Sequence, residues 1–271
     1  MDLTLDYGTV AVSFPNGTVV AVARVEGTFY LQAFTPSAGW LFAVFSILML
    51  HTLKASAEAF LDGNTRVTAA GITVPRSLSS LDSYYEQVLR KAAENVGLEA
   101  RPAFDMAAEI ASYMYSKGLD ISPLLLDDQV AVLAVDYSRQ SFMAVLFLVD
   151  EFGLLKTVRI DQSFDLGHHF LRPGPEHWTE IRQRLQTVVS QTTEISQLIL
   201  LGDRAKNQTF IRTVQEALAG YYTAQNDGLQ GNQESEDFDP VFIAAKEAAR
   251  LSARLLDHDW GLSSSVLLFP A

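Results

Sequence analysis

Two carboxylates stand at the ends of near-identical apolar runs: Asp6 in Leu3-Thr4-Leu5-Asp6-Tyr7-Gly8-Thr9 and Asp136 in Leu133-Ala134-Val135-Asp136-Tyr137-Ser138-Arg139. At the tip of a hairpin, an aspartate caps the turn through its own side chain, a role common on any β meander. A second group that could do chemistry is His168, His169 and His177. Their spacing gives no helical pair of metal ligands at i and i+4, and no carboxylate motif accompanies them. A surface loop ahead of a helix opening at Pro175 accounts for them better. Asn16-Gly17-Thr18 and Asn207-Gln208-Thr209 fit the glycosylation sequon, which has no consequence without a secretory leader. A Gly-x-Ser-x-Gly nucleophile motif is absent, and with no cysteine in the chain thiolate chemistry and disulfides are excluded.

The elements that must position these residues repeat. Leu3 to Phe14, Thr18 to Val25 and Thr28 to Phe34 read as a three-stranded meander turning at Pro15-Asn16-Gly17 and Glu26-Gly27. Ser37 caps a helix running to Leu61, which Asp62-Gly63-Asn64 ends. A buried strand from Val67 to Val74 follows, then helices from Leu81 to Asn95 and from Phe104 to Lys117, closed by Gly97 and Gly118. The second half restates the plan: strands Val130 to Val135, Phe142 to Val149 and Leu154 to Ile160, a helix from Pro175 to Val189, a strand from Leu198 to Leu201 and a helix from Phe210 to Ala219. Residues 225–239 turn polar and acidic and read as a mobile loop. A last helix starts at Pro240 and runs through Leu256, and the tail from Ser263 adds an edge strand. Two βββαβα cores are therefore expected, 1–120 with a crossover helix at 104–118, and 128–271.

Bulk properties narrow the partners. The 271 residues carry a formal charge of −12, which repels nucleic acid and anionic membranes at long range. From Gly27 to Leu53 there is no charged residue, but the wholly apolar core, Trp40 to Leu50, is too short to span a bilayer. A helix inside a protein is expected there. Met1-Asp2-Leu3 runs straight into the first strand, so the expectation is a chain without a cleaved leader, located in the cytosol.

With two mixed sheets, flanking helices and an aspartate at each hairpin tip, the chain is similar to the actin-like ATPase fold of actin, sugar kinases and the seventy-kilodalton heat-shock chaperones. The chaperones are most similar. Gly71-Ile72-Thr73-Val74-Pro75 and Ala92-Ala93-Glu94-Asn95-Val96-Gly97-Leu98 resemble their Ile-Thr-Val-Pro strand and the helix ending Ala-Gly-Leu. Ala57-Glu58-Ala59-Phe60-Leu61 resembles the end of the preceding helix, Glu109 through Asp120 their crossover helix, Leu198-Ile199-Leu200-Leu201-Gly202 their adenosine strand and turn, and Asp239 to Ala249 their closing helix. The similarity is colinear over essentially the whole chain. It implies an α/β, duplicated actin-like ATPase fold of two ribonuclease-H-like cores. Most auxiliary subdomains are lacking, since only about 66 residues separate Asp6 from Ile72 and about 62 separate Asp136 from Leu198.

In that family ATP lies between the halves, both hairpin turns cradle phosphates, and the two strand-end aspartates hold the waters around magnesium. The resemblance thus assigns Asp6 and Asp136 to magnesium through water, and Gly8 and Thr9 to the first phosphate turn. Main-chain amides reach a phosphate closely only where side chains are absent. The second turn reads Ser138-Arg139-Gln140-Ser141 where the family has three glycines and a threonine, so Ser138 and Arg139 are vestigial phosphate contacts, and Arg139 either replaces amides with a charged contact or bridges the cleft. Gly202 keeps the adenosine turn, but Asp203 places a carboxylate against ribose and α-phosphate unless Arg204 or a metal compensates. Glu109 matches the family's water-positioning base only with an insertion after Leu98, and is otherwise an ordinary helix-face glutamate.

Loss of the second phosphate turn, the adenosine turn and the auxiliary blocks together implies a non-enzymatic protein-interaction or assembly module, with no cofactor and an unidentified protein partner. The alternative is a Mg-ATP-binding protein or slow ATPase that uses cleft closure as a switch.

Overall fold

The computed structural model describes residues 1–3, 7–26, 39–74, 82–100, 105–118, 130–150, 155–168, 173–192, 194–221 and 239–258. It is a mixed α/β protein. In chain order the strands are β1 (Asp2–Leu3), β2 (Tyr7–Ser13), β3 (Val19–Glu26), β4 (Ala69–Ala70), β5 (Thr73–Val74), β6 (Glu99–Ala100), β7 (Asp105–Met106), β8 (Ala131–Tyr137), β9 (Phe142–Val149), β10 (Leu155–Ser163) and β11 (Gln197–Leu201). The helices are α1 (Gly39–Phe60), α2 (Asp82–Asn95), α3 (Ala107–Gly118), α4 (Pro175–Val189), α5 (Gln208–Ala217) and α6 (Ile243–His258).

Two sheets share one order. The first runs β3-β2-β1-β5-β7 and the second β10-β9-β8-β11, so the first four strands correspond: each is an antiparallel meander extended by parallel strands, β5 and β7 in the first and β11 in the second. In each meander the third strand carries one extra residue, Val22 opposite the Val10/Ala11 step and Val158 opposite Phe147/Leu146. Such bulges sharpen the twist of the strand that holds them. In β9, Phe142–Val149 is almost continuously buried, as a strand covered on both faces must be, whereas β10 at the edge is half exposed.

Helices fill the layers. On one face of the first sheet α1 and α2 bury Met49, Leu50, Leu53, Leu89 and Ala93 against Val10, Ile72 and Val74. On one face of the second, α4 and α5 bury Ile181, Leu185, Phe210 and Val214 against Leu133, Val135, Ala144 and Leu146. Between the sheets α3 and α6 pack together and cross over: α3 lies on β8 of the second sheet while α6, from the far end of the chain, lies on β2 and β3 of the first. Ala108, Ala111 and Ile243 join Val132, Val145 and Phe147 in that central layer. Gly71 allows the close approach of α6, since a Cβ there would stand 2.7 Å from the Ala248 carbonyl oxygen.

Several boundaries depart from expectation. The single strand from Leu3 to Phe14 is two, β1 and β2, paired antiparallel with Leu3 opposite Gly8. The strand from Val67 to Val74 is two short ones in different sheets, β4 beside β6 and β5 beside β1. From Val44 onward the apolar helix α1 is core on one side. Met49, Leu50 and Leu53 are buried, but Val44 and Leu48 are 48% and 61% exposed. No helix among the described residues is long and apolar enough to cross a membrane. The expected strand from Thr28 to Phe34, the Ser37 cap, the Glu151-Phe152-Gly153 turn, the acidic stretch up to residue 238 and the tail from Ser263 lie outside the described residues.

Candidate functional site

The β8–β9 turn, Ser138 to Ser141, is closed by its own polar atoms. The Ser138 amide donates to the Ser141 carbonyl at 2.9 Å, the Ser141 amide donates to Ser138 Oγ at 3.2 Å, and the two hydroxyls are 3.0 Å apart. Both amides are thus spent within the turn. The loop after β10 lies on top: the His168 amide donates to the Ser138 carbonyl at 3.1 Å, and a Cβ on Gly167 would come within 2.5 Å of the Arg139 carbonyl oxygen.

The β11–α5 turn meets the end of β8 just as closely. Gly202 holds φ +95°, the left-handed region that glycine enters without penalty. A Cβ there would lie 2.4 Å from the Tyr137 carbonyl oxygen and 2.5 Å from Asp136 Oδ1. The Arg204 amide donates to the same Tyr137 carbonyl at 3.0 Å. Half-buried Asp136 pairs with Leu201 and Met143 at the end of β8 and faces this glycine.

From those two turns Arg139 and Asp203 meet Arg24 and Glu26, which project from β3 of the other sheet. Arg24 donates to Asp203 Oδ2 at 3.0 Å and pairs through Nε with Glu26 at 2.7 Å. Arg139 Nε stands 2.9 Å from Asp203 Oδ2, and its guanidinium also donates to Glu26. The Arg24 guanidinium rests over the Tyr7 ring, 4.4 Å from its centroid. Asp203 is 4% exposed, and two cations offset two anions. Burial opposes ionisation of Glu26, but the bonds and charges of Arg139 and Arg24 outweigh it and hold the carboxyl below its usual range. The cluster ties β3 to both turns of the second sheet. Compensation for Asp203 comes from Arg24 and Arg139, while Arg204 contributes its main chain to Tyr137.

Of the residues singled out from sequence, the structure joins Asp136, Ser138, Arg139 and Gly202 around the end of β8. Gly8 and Thr9 face elsewhere. A Cβ on Gly8 would stand 2.8 Å from Met49 Sδ and 2.9 Å from Leu53 Cδ1, so the glycine admits α1. Fully buried Thr9 donates its hydroxyl to the Val241 carbonyl at 3.5 Å. Glu109 is exposed in the first turn of α3. Asp6 and His169 lie outside the described residues.

The histidines correct a reading. His177 is on α4, not on a surface loop, and is buried at 5% exposure because it meets the tyrosine hydroxyl at the end of β8. Tyr137 Oη is 3.1 Å from His177 Nε2 and 3.3 Å from His168 Nδ1, and the Tyr137 ring stacks on Phe210 with centroids 4.4 Å apart. Burial pushes the Tyr137 phenol well above its ordinary range, against a smaller opposing pull from Arg204. Burial, and then the nearby His168, push the His177 imidazole down. Arg24 and Glu26 alternate onto one face of β3, but nothing local to that strand names Arg139 and Asp203 as their partners, and nothing local signals the Tyr137 pairing.

No family model matches this chain, and no curated protein matches it in sequence.

Proposed function

We propose that this chain is a cytosolic, degenerate relative of the actin-like ATPase superfamily, closest to the chaperone ATPase domain, and that it acts as a protein-interaction or assembly module without using nucleotide. The duplicated reading, with cores at 1–120 and 128–271, draws support from the common strand order, the matching extra residue in each third strand, and the crossing of α3 and α6.

One observation carries the functional reading: Arg24, Glu26, Arg139 and Asp203 pair with one another between the strand of one core and the two turns of the other where a triphosphate would need bare amides. A nucleotide with magnesium does not fit the residues present. The Ser138 amide is taken by Ser141, the space over Gly202 is filled by the Tyr137 carbonyl, and the guanidinium groups of Arg24 and Arg139 are already paired with Asp203 and Glu26. No catalytic step is therefore assigned to Asp136 or Glu109. Exposed Val44 and Leu48 on α1 supply apolar surface of the kind that protein partners cover.

A thermal-shift titration tests the reading. With Mg-ATP up to millimolar concentration the melting temperature should stay within 1 °C or so of the apo value, because a ligand that binds the folded state at 100 times its Kd stabilises by about 2.7 kcal/mol. A saturable, magnesium-dependent rise would instead favour the ATP-switch reading.

A further inference from the structure

Tyr137 is the residue on which both halves of the ionic cluster rest. Its carbonyl receives the Arg204 amide and seats Gly202, which fixes the turn carrying Asp203. Its hydroxyl meets His177 and His168, and the His168 amide in turn holds the Ser138 carbonyl of the turn carrying Arg139. A phenol has one proton. It can donate to only one imidazole nitrogen, so the other imidazole must present an N–H to the phenol oxygen, and two neutral histidines in complementary tautomers satisfy the group.

Protonation breaks that match. With both rings cationic, two N–H groups would point at one oxygen, the tyrosine proton would lose its acceptor, and two like charges would sit together. Among the described residues no carboxylate is placed to absorb the charge of His177. Its Nδ1 is buried without a hydrogen-bond partner, and its other neighbours are the Trp178 ring at 4.9 Å and the phenol. Among the described residues, the carboxylates of α4, α5, β10 and the loop after it are engaged elsewhere or turned outward. Glu180 and Asp161 pair with Arg184, Glu216 pairs with Arg182, and Glu176, Asp165 and Arg212 are exposed. Arg204 acts on Tyr137, its Nε buried without a partner, and adds positive charge. Strand β9 contributes no titratable residue.

We infer that His177, with His168, forms an acid-sensitive clasp: protonation releases the loop after β10 from Tyr137, frees the Ser138–Ser141 turn, and so loosens the Arg139–Asp203–Arg24–Glu26 bridge between the two sheets. This holds whether or not the chain descends from ATPases. Above an ordinary histidine pKa of about 6.5 the clasp is closed, and it loosens progressively as pH falls toward the lowered folded-state value.

Hydrogen exchange of the full chain tests it, with rates converted to protection factors at pH 7.5 and pH 5.0. Amides of Ser138, Ser141, His168 and Arg204 should lose protection at least tenfold more than Leu50, Leu53 and Leu89 in the α1/α2 core. His177→Gln should reduce that ratio to below threefold. His168→Gln, at the half-exposed member, is the second variant and should cut it at least threefold, so the test survives if the first fails to fold. Equal loss across both regions in the wild-type chain, or an unchanged ratio in whichever variant folds, overturns the clasp.

Discussion

Asp203→Asn is the most informative single change in the ionic bridge. It keeps the shape of the side chain and removes one negative charge facing two guanidinium groups at 2.9 and 3.0 Å. Breaking a fully buried pair by removing one partner costs about 3–5 kcal/mol. That figure is an upper bound here, because Arg24 and Arg139 are 27% and 24% exposed and both keep Glu26. A loss of about 2–3 kcal/mol is the resulting expectation, of the size of one or two charge-assisted hydrogen bonds. For a chain of this length that corresponds to a melting point lower by about 4–12 °C. Arg139→Gln should cost less, about 1–2 kcal/mol, since Arg24 still serves Asp203. The double variant should cost less than the sum of the two by about 1 kcal/mol, the coupling expected of residues in direct contact. Urea unfolding at neutral pH and moderate salt measures all four species. If Asp203→Asn falls within about 0.5 kcal/mol of wild type, the range of ordinary surface substitutions, or the two changes add without coupling, the bridge does not join the sheets.

Three other outcomes follow from the geometry. Gly202→Ala should cost about 3 kcal/mol or more, combining the left-handed backbone penalty with a clash on the Tyr137 carbonyl, while Gly17→Ala, at φ +82° with nothing within 4 Å, should cost about 1 kcal/mol, both read by urea unfolding. Gly8→Ala should lie between them at about 1–3 kcal/mol and be relieved by Met49→Ala, because its clash is with movable side-chain ends. Asn207→Ala should cost about 1 kcal/mol in the same assay, because its Oδ1 accepts the Thr209 and Phe210 amides at 2.9 and 3.1 Å at the start of α5.

Much of the second half was legible because local signals and tertiary demand agree there. Pro175 opens α4 at its first turn, and the run Phe142 to Val149 is apolar throughout because the sheet is covered on both faces. After α1, Asp62 and Gly63 adopt positive φ at the helix end that Asp62-Gly63-Asn64 signals. Boundaries slipped where capping decides them. The last helix begins at Ile243 rather than Pro240, since Asp239 Oδ1 receives the Val241 amide and its carbonyl receives the Phe242 amide in a turn ahead of the helix. Leu3 to Phe14 reads as one strand across Asp6 and Gly8, and the pairing of Asp2 and Leu3 with Thr9 and Gly8 divides it. At the β8–β9 turn the bridging role expected of Arg139 corresponds to its pairing with Glu26 and Asp203. Its partners in the cluster were not legible, because Arg24 and Glu26 belong to another sheet, and His177 is fixed by a tyrosine 40 positions earlier. Gly8 was legible as a close approach, but what approaches is α1.

The decisive measurement for the proposal that the Arg24–Glu26–Arg139–Asp203 bridge leaves this chain without nucleotide binding is isothermal titration calorimetry of Mg-ATP into the wild-type chain at neutral pH. No saturable heat is expected at protein concentrations of tens of micromolar, corresponding to a Kd weaker than about 1 mM, or −4.1 kcal/mol. A one-to-one isotherm with micromolar Kd that vanishes without magnesium would contradict it.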